Sequence, residues 1–171
     1  MKRHGKNKRV MGIDPGSIFC GYGIIERSGK DGTEYIVSGR IALNRGDPLN
    51  KRLAELFTNL SEIIIEYQPE EAAIEKIFFA KGIKAALNLG HARGIALVAA
   101  TIENLAVFEY SALEVKKSVV GYGRADKRQV MEMVSGILDI RQILSEDSAD
   151  ALALALCHLN TLDLATLARK A

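Results

Sequence analysis

Four acidic residues stand where a carboxylate is costly, at the end of a predicted strand or at the start of a predicted apolar helix. Asp14 closes a short apolar run just before a Pro-Gly turn, and Glu75 lies inside a second apolar run. Asp147 and Asp150 are three residues apart, so they share one face of a helix. Each has an ordinary alternative. Asp14 could accept hydrogen bonds from the backbone of its own turn, and Glu75 could point to water from an edge strand. Asp147 and Asp150 could complement the helix dipole in the first turn.

Taken together, the four carboxylates indicate a site for divalent metal ions. Negative charges that converge repel one another unless a hard cation neutralises them, and carboxylate oxygens suit Mg²⁺ or Mn²⁺. The cysteines and histidines show no zinc-ligand spacing. Two ions about 4 Å apart can activate a water and stabilise the leaving oxygen of a phosphodiester. The residues therefore predict phosphodiester hydrolysis.

The elements that must gather these acids predict one α/β domain with a mixed sheet. Three strands come first, and helices then alternate with single strands. An Asp47-Pro48 pair is predicted to start the first helix, and Ser111, Asp126 and Ser145 are predicted to start later ones. The predicted strands are 10–14, 21–27, 33–43, 71–78 and 106–110, and the longer helices are 49–67, 83–104, 126–138 and a nearly apolar one after 145.

Bulk properties predict a cytoplasmic protein. Its 171 residues suit one domain, and the two cysteines, Cys20 and Cys157, are isolated, as expected in a reducing compartment. The longest nearly apolar run, residues 94–102, is shorter than the roughly 20 residues of a membrane span. The basic start is interrupted by Asp14 and Pro15, which argues against a signal peptide.

Charge is distributed unevenly along the chain. The net charge is +2, but the first nine residues contain five Lys or Arg and no acid, so the remaining 18 basic and 21 acidic residues give −3. Overall charge therefore carries no argument for nucleic acid. We predict a basic flexible arm at 1–9, a single domain at 10–162 and a short tail at 163–171.

Five sequence blocks, in order and spanning nearly the whole chain, resemble the RuvC family of bacterial Holliday junction resolvases. They are GIDPGS at 12–17 with GYG at 21–23, AIEKIF at 73–78, LGHARG at 89–94, VKKSVVG at 115–121 and DSADALA at 147–153. The resemblance implies a ribonuclease H-like fold with a five-stranded mixed sheet flanked by helices. It implies a homodimer that binds four-way junction DNA and nicks two strands of like polarity in recombination and repair. RuvA and RuvB, which drive branch migration, are the candidate partners.

The same resemblance implies roles for individual residues. Asp14, Glu75, Asp147 and Asp150 would be the catalytic acids that hold two Mg²⁺ ions, with Mn²⁺ as a substitute. Lys116 and Lys127 would lie near the scissile phosphate, and Phe78 would face the DNA. From the residues alone, the two lysines would be ordinary surface lysines, and Phe78 would pack in the core.

A local basic stretch adjoins Glu75. No acid occurs between Glu75 and Glu103, whereas Lys81, Lys84 and Arg93 do, and we expect these three to bind DNA phosphates. The alternative is a solvated helix face. The small residues of the helix 83–104 allow close approach, and the dimer contact is placed on that helix, with Ala96 as its test position.

Three rival functions are considered. A junction-binding or regulatory member of the same fold that no longer cuts is disfavoured because all four acids are present. An actin-like ATPase or sugar kinase also has an aspartate near glycine after its first strand, but it needs a second phosphate loop, which the sequence does not show. A purely structural dimer would leave the acids unexplained.

Overall fold

The computed structural model describes residues 8–29, 32–76 and 82–168. Within them, five strands form one mixed sheet in the order β3-β2-β1-β4-β5. Strand β1 pairs antiparallel with β2 and parallel with β4, so the first three strands form a meander and the last two are added by crossovers. This confirms the predicted five-stranded sheet. The strands are β1 Arg9–Asp14, β2 Phe19–Ser28, β3 Gly32–Ala42, β4 Glu71–Glu75 and β5 Ala106–Tyr110.

Helices cover both faces of the sheet. Buried side chains of α1 and α2 pack with Met11, Ile13 and Ile74 on one face, and α3, α4 and α5 pack with Val10, Ile25 and Ala73 on the other. The alternation of side chains along each strand therefore separates two cores. The helices are α1 Leu49–Tyr67, α2 Ile83–Ile102, α3 Ala112–Val120, α4 Lys127–Ile137 and α5 Glu146–Ala168.

Most of the predicted helix starts are confirmed. Ser111 and Asp126 form capping boxes with Glu114 and Gln129, and the Ser148 backbone N–H donates to Ser145 Oγ over 3.2 Å at the start of α5. The prediction that Asp47 caps α1 is wrong. Pro48 is the N-cap residue, and the Asp47 carboxylate instead accepts a 3.0 Å hydrogen bond from Lys51 Nζ.

The structure extends the predicted domain at both ends. Strand β1 begins at Arg9, whose guanidinium pairs with Glu26, and Lys8 pairs with Glu71, so these two residues of the predicted arm belong to the folded domain. Helix α5 continues to Ala168 through most of the predicted tail.

The apolar stretch of helix α2, which spans Ile83–Ile102, is longer than the nearly apolar run 94–102 seen in the sequence. By length and composition alone it could cross a membrane, with a mean hydropathy of 1.3. Core helices of globular proteins also satisfy that test, and one face of α2 has such a role. Its small residues Ala92, Ala96, Ala99 and Ala100 are fully buried against α1 and the sheet. Ala96 therefore serves packing within the chain and is not a surface for a partner.

A buried histidine ties α5 to the two strands at the edge of the sheet. The two ring nitrogens of His158 lie 2.6 Å from Tyr110 Oη and 2.6 Å from Glu71 Oε2. Burial raises the pKa of Glu71, but hydrogen bonds from Lys8 and His158 outweigh burial and leave that pKa below its ordinary value. The network satisfies polar groups in a buried place and fixes α5 against β4 and β5.

Three glycines let α5 lie directly on the sheet. A Cβ at Gly12 would overlap the Ala151 carbonyl oxygen, and a Cβ at Gly21 would overlap the Asp147 carbonyl oxygen. A Cβ at Gly23 would come 2.6 Å from the Leu152 side chain. In this sheet glycine marks close approach of another backbone.

We predict opposite effects of the same substitution at two glycines. Gly12→Ala should destabilise the protein by roughly 3 kcal/mol or more, because α5 must move off the sheet. Gly136→Ala is the matched control: the glycine is exposed on α4, with open space around a Cβ. That control should stabilise by about 0.5–1 kcal/mol. Urea unfolding measures both, and equal midpoints would contradict the close contact between α5 and β1.

Candidate active site

One row of residues across the sheet carries the first two acids. Asp14 ends β1 and pairs with Gly21 of β2, which in turn pairs with Arg40 of β3. Ile13 pairs with Ile74 of β4, so the same register places Glu75 beside Asp14. Directly opposed residues point to the same face of a sheet. Asp14 and Glu75 therefore project side by side towards α5.

The start of α5 adds the other two acids. Because Gly21 has no side chain, the main chain of Asp147 lies over it, next to Asp14. Asp150, one turn further along, lines a cavity of about 200 Å³ together with Asp14 and Glu75. Asp147 stands outside that lining, and its Oδ2 lies 3.6 Å from Nη1 of Arg40.

Two lysines lie at this cavity, one from α3 and one from the start of α4. Lys116 and Lys127 line it on the side of the α3–α4 connection, as do apolar side chains of both helices. Lys127 Nζ lies 3.7 Å from Asp150 Oδ2 and 3.4 Å from Glu146 Oε2. The pKa of Lys127 is raised, first by Asp150. Five of the six predicted catalytic residues thus meet at one cavity, with Asp147 beside it.

Burial and mutual repulsion raise the pKa values of three of the four acids. Burial is the largest cause that raises the pKa of Asp14 to about 7, and the charges of Asp150, Glu75 and Asp147 add to it. Burial also raises the pKa of Glu75 and of Asp150, against the opposing charge of Lys127. Once ionised, the four acids outnumber the nearby cations Lys116, Lys127 and Arg40, which leaves an excess of negative charge at the site.

This donor set fits a hard divalent cation. It consists of carboxylate oxygens, the ligands of Mg²⁺ and Mn²⁺. Among the described residues, no three His, Cys, Asp or Glu side chains are already grouped closely enough to hold an ion. The donor chemistry and the excess charge thus suit the cation, whereas the side chains still have to close around it.

The predicted DNA contacts have different surroundings. Phe78 and Lys81 lie outside the described residues. Lys84 is exposed in the first turn of α2. Arg93 is largely buried: its Nε donates to the Glu75 carbonyl oxygen over 3.1 Å, and its guanidinium also pairs with Glu109. Arg93 therefore fixes the end of β4 that presents Glu75.

Sequence reasoning missed Arg40 and the aromatic ring beneath it. The Arg40 guanidinium carbon lies 4.2 Å from the centre of the Phe19 ring, and Arg45 lies 6.0 Å from the same centre. The signal exists only in the pairing of β2 with β3, which places Arg40 opposite Gly21. Spacing along the chain does not show it.

A family model and curated relatives match nearly the whole chain. The model described as crossover junction endodeoxyribonuclease RuvC matches residues 10–158. A protein of that name from Saccharophagus degradans is 52% identical over 153 residues, which are 89% of this chain and 87% of the relative. The one from Shewanella oneidensis is 48% identical over 152 residues, again 89% and 87%.

Solved structures agree with this match. The Thermus thermophilus RuvC structure has a TM-score of 0.84 at 31% identity and covers 92% of this chain and 97% of its own. T. thermophilus RuvC in complex with Holliday junction substrate gives a TM-score of 0.87 at 31% identity, covering 93% and 97%. The chain belongs to the RuvC family of crossover junction endodeoxyribonucleases.

Proposed function

We propose that the protein is a metal-dependent endonuclease that resolves Holliday junctions by nicking two strands of like polarity, in bacterial DNA recombination and repair. The observation that carries the proposal is the cavity where Asp14, Glu75 and Asp150 meet Lys116 and Lys127. The names of the relatives and the junction complex of a solved relative support the substrate. The catalytic unit extends from the start of β1 to the end of α5, in a cytoplasmic protein with RuvA and RuvB as candidate partners.

The four acids would hold two Mg²⁺ ions, for which Mn²⁺ can substitute. Bound in this way, the ions supply an activated water and stabilise the leaving oxygen of the phosphodiester. Asp14, whose raised pKa favours the protonated form, would have to lose its proton to act as a ligand. Lys116 and Lys127 are placed to stabilise negative charge that develops on the phosphate oxygens.

A second copy of the chain is proposed to cover the outer face of α2. Leu87, Val98 and Ile102 on this helix are 59%, 48% and 57% exposed. Gly90 and Gly94 lie between them, with open space where a Cβ would be. Small residues between large apolar ones allow the backbones of two helices to approach closely. Two active sites in one dimer would supply the paired nicks.

Other predicted contacts complete the proposed DNA surface. Lys84 is exposed near the start of α2 and is free to meet a phosphate. Phe78 and Lys81 precede it in the sequence and stay predicted contacts. A non-cleaving member of the family is the second candidate, and retention of all four acids at one place in the fold disfavours it.

Removal of one carboxylate should separate cutting from binding. We expect Asp14→Asn to lower the nicking rate on a synthetic four-way junction at least a thousandfold, because a metal ligand is lost. Junction affinity should be unchanged or higher, since removing negative charge cannot weaken attraction to phosphate. Asp139→Asn, at an exposed position with positive φ that asparagine tolerates, is the control. Cutting that survives in Asp14→Asn would refute the assignment.

The metal requirement should depend on pH in a defined direction. Asp14 is neutral below about pH 7 and ionised above it, so an ion must displace a proton at low pH. The Mg²⁺ concentration for half-maximal nicking should rise as pH falls from 8 to 6, by up to about tenfold per pH unit below the pKa. Initial rates over a Mg²⁺ series at each pH measure it. A constant Mg²⁺ requirement across this range would contradict the raised pKa.

The dimer contact is tested on the outer face of α2. Val98→Asp should convert the dimer to monomers, because two buried aspartates would face one another across the interface. Ile143→Asp, at a fully exposed residue of the α4–α5 loop, is the control and should stay dimeric. Sedimentation velocity distinguishes the two states, with circular dichroism as a check on folding. A Val98→Asp dimer of unchanged stability would place the interface elsewhere.

A further inference from the structure

Two arginines converge on one aromatic ring at the rim of the active site. The Arg40 guanidinium carbon lies 4.2 Å from the centre of the Phe19 ring and that of Arg45 lies 6.0 Å from it. Phe19 begins β2, Arg40 is near the end of β3, and Arg45 is in the loop that follows. The ring attracts both cations, and the Arg40 guanidinium is well within cation–π distance of it. The N–H edge of that guanidinium then remains available to a ligand.

The loop that carries Arg45 is held in place. The Leu43 backbone N–H donates to the Ile18 carbonyl oxygen over 2.8 Å, and the Asp47 N–H donates to the Asn44 carbonyl oxygen over 3.1 Å. Arg52 donates to the carbonyl oxygens of Asp47 and Ser17, which ties this loop to the turn after Asp14. Arg45 therefore projects from a closed turn whose position relative to the acids is fixed.

The positive charge at this rim is only partly balanced by the described residues. Arg40 Nη1 lies 3.6 Å from Asp147 Oδ2, an ion-pair distance that is too long for a hydrogen bond. The Arg40 side chain is 43% exposed. Arg45 is exposed and forms no ion pair with any described residue. Asp147 is moreover one of the acids proposed to bind metal, and a metal-bound carboxylate offers less charge to Arg40. Two guanidinium groups lie near the same ring, and the one carboxylate of the described residues that pairs with them, Asp147, is also a proposed metal ligand, so the pair favours an anionic ligand.

We propose that Arg40 and Arg45, supported by Phe19, bind a backbone phosphate of the DNA strand that is cut, beside the scissile phosphate. Lys116 and Lys127 lie on the α3–α4 side of the acids, and the arginines lie on the β2–β3 side. A strand that crosses the acids therefore passes from one pair of cations to the other. Guanidinium forks bind phosphate oxygens in a bidentate way. This site rests on the proposed function for its substrate, and it positions the strand without taking part in the chemistry.

The test compares Arg40→Ala, Arg45→Ala and the double variant with Arg141→Ala. Arg141 is a fully solvated arginine of the α4–α5 loop, with 89% of its side chain exposed. Binding of a labelled four-way DNA junction is measured without divalent metal over a series of salt concentrations. The double variant should lose about tenfold in affinity, and its salt slope should fall by about 0.9 for each lost phosphate contact. Arg141→Ala should match the wild type.

Nicking assays separate this role from an effect on Asp147. We expect the double variant to need more junction for half-maximal rate, with a maximal rate within threefold of the wild type. If the arginines serve only to hold Asp147, Arg40→Ala will change the Mg²⁺ requirement, Arg45→Ala will change nothing, and affinity and salt slope will stay at wild-type values. That outcome overturns the phosphate site.

Failure of the proposed function would be recognised separately. A wild-type protein that binds the junction but does not nick it would refute the nuclease, while the metal-free binding series would still decide whether Arg40 and Arg45 contact phosphate. Conversely, unchanged binding by the double variant of an actively nicking protein would remove only this site.

Discussion

The close contact between α5 and the first two strands is the constraint on which the active site depends. Asp14 is fixed by the end of β1, but Asp147 and Asp150 reach it only because the α5 backbone lies on Gly12 and Gly21. Packed interiors have little room to adjust, so one methyl group at either glycine would move the whole helix. The same contact leaves Asp14 and Asp150 largely buried, and burial is the main reason that their pKa values are raised. Geometry and electrostatics of the site thus have one origin.

Burial of these acids carries an energetic cost that the rest of the fold must offset. A pKa near 7 for Asp14, against an ordinary 3.8, corresponds to about 4 kcal/mol against the ionised form at neutral pH. Two hydrophobic cores, one on each face of the sheet, and the His158 network supply stability that offsets this cost. Lys127 offsets part of the charge through Asp150. A divalent ion would offset part of the remaining cost, which would link metal binding to the stability of the site.

Much of the fold could be predicted because it is specified locally. The Ser111 cap and the strand from Ala106 to Tyr110 follow from short stretches of sequence, and the structure has both as predicted. The acids could be singled out because each is an anomaly in its own segment. Arg40 could not, because its importance depends on which residue of β2 it faces. The local basic stretch likewise suggested that Arg93 binds a DNA phosphate, and only the structure shows its guanidinium engaged with Glu75 and Glu109 of the same chain.

Helix α2 connects the proposed dimer to the chemistry. Arg93, on this helix, donates to the carbonyl oxygen of Glu75, and so α2 holds the end of β4 that presents an acid to the cavity. The outer face of the same helix carries the exposed apolar residues assigned to a second copy. If that face is the interface, then one helix in each subunit connects Glu75 to the axis that relates the two copies. The distance between two cuts on a junction would then depend on α2.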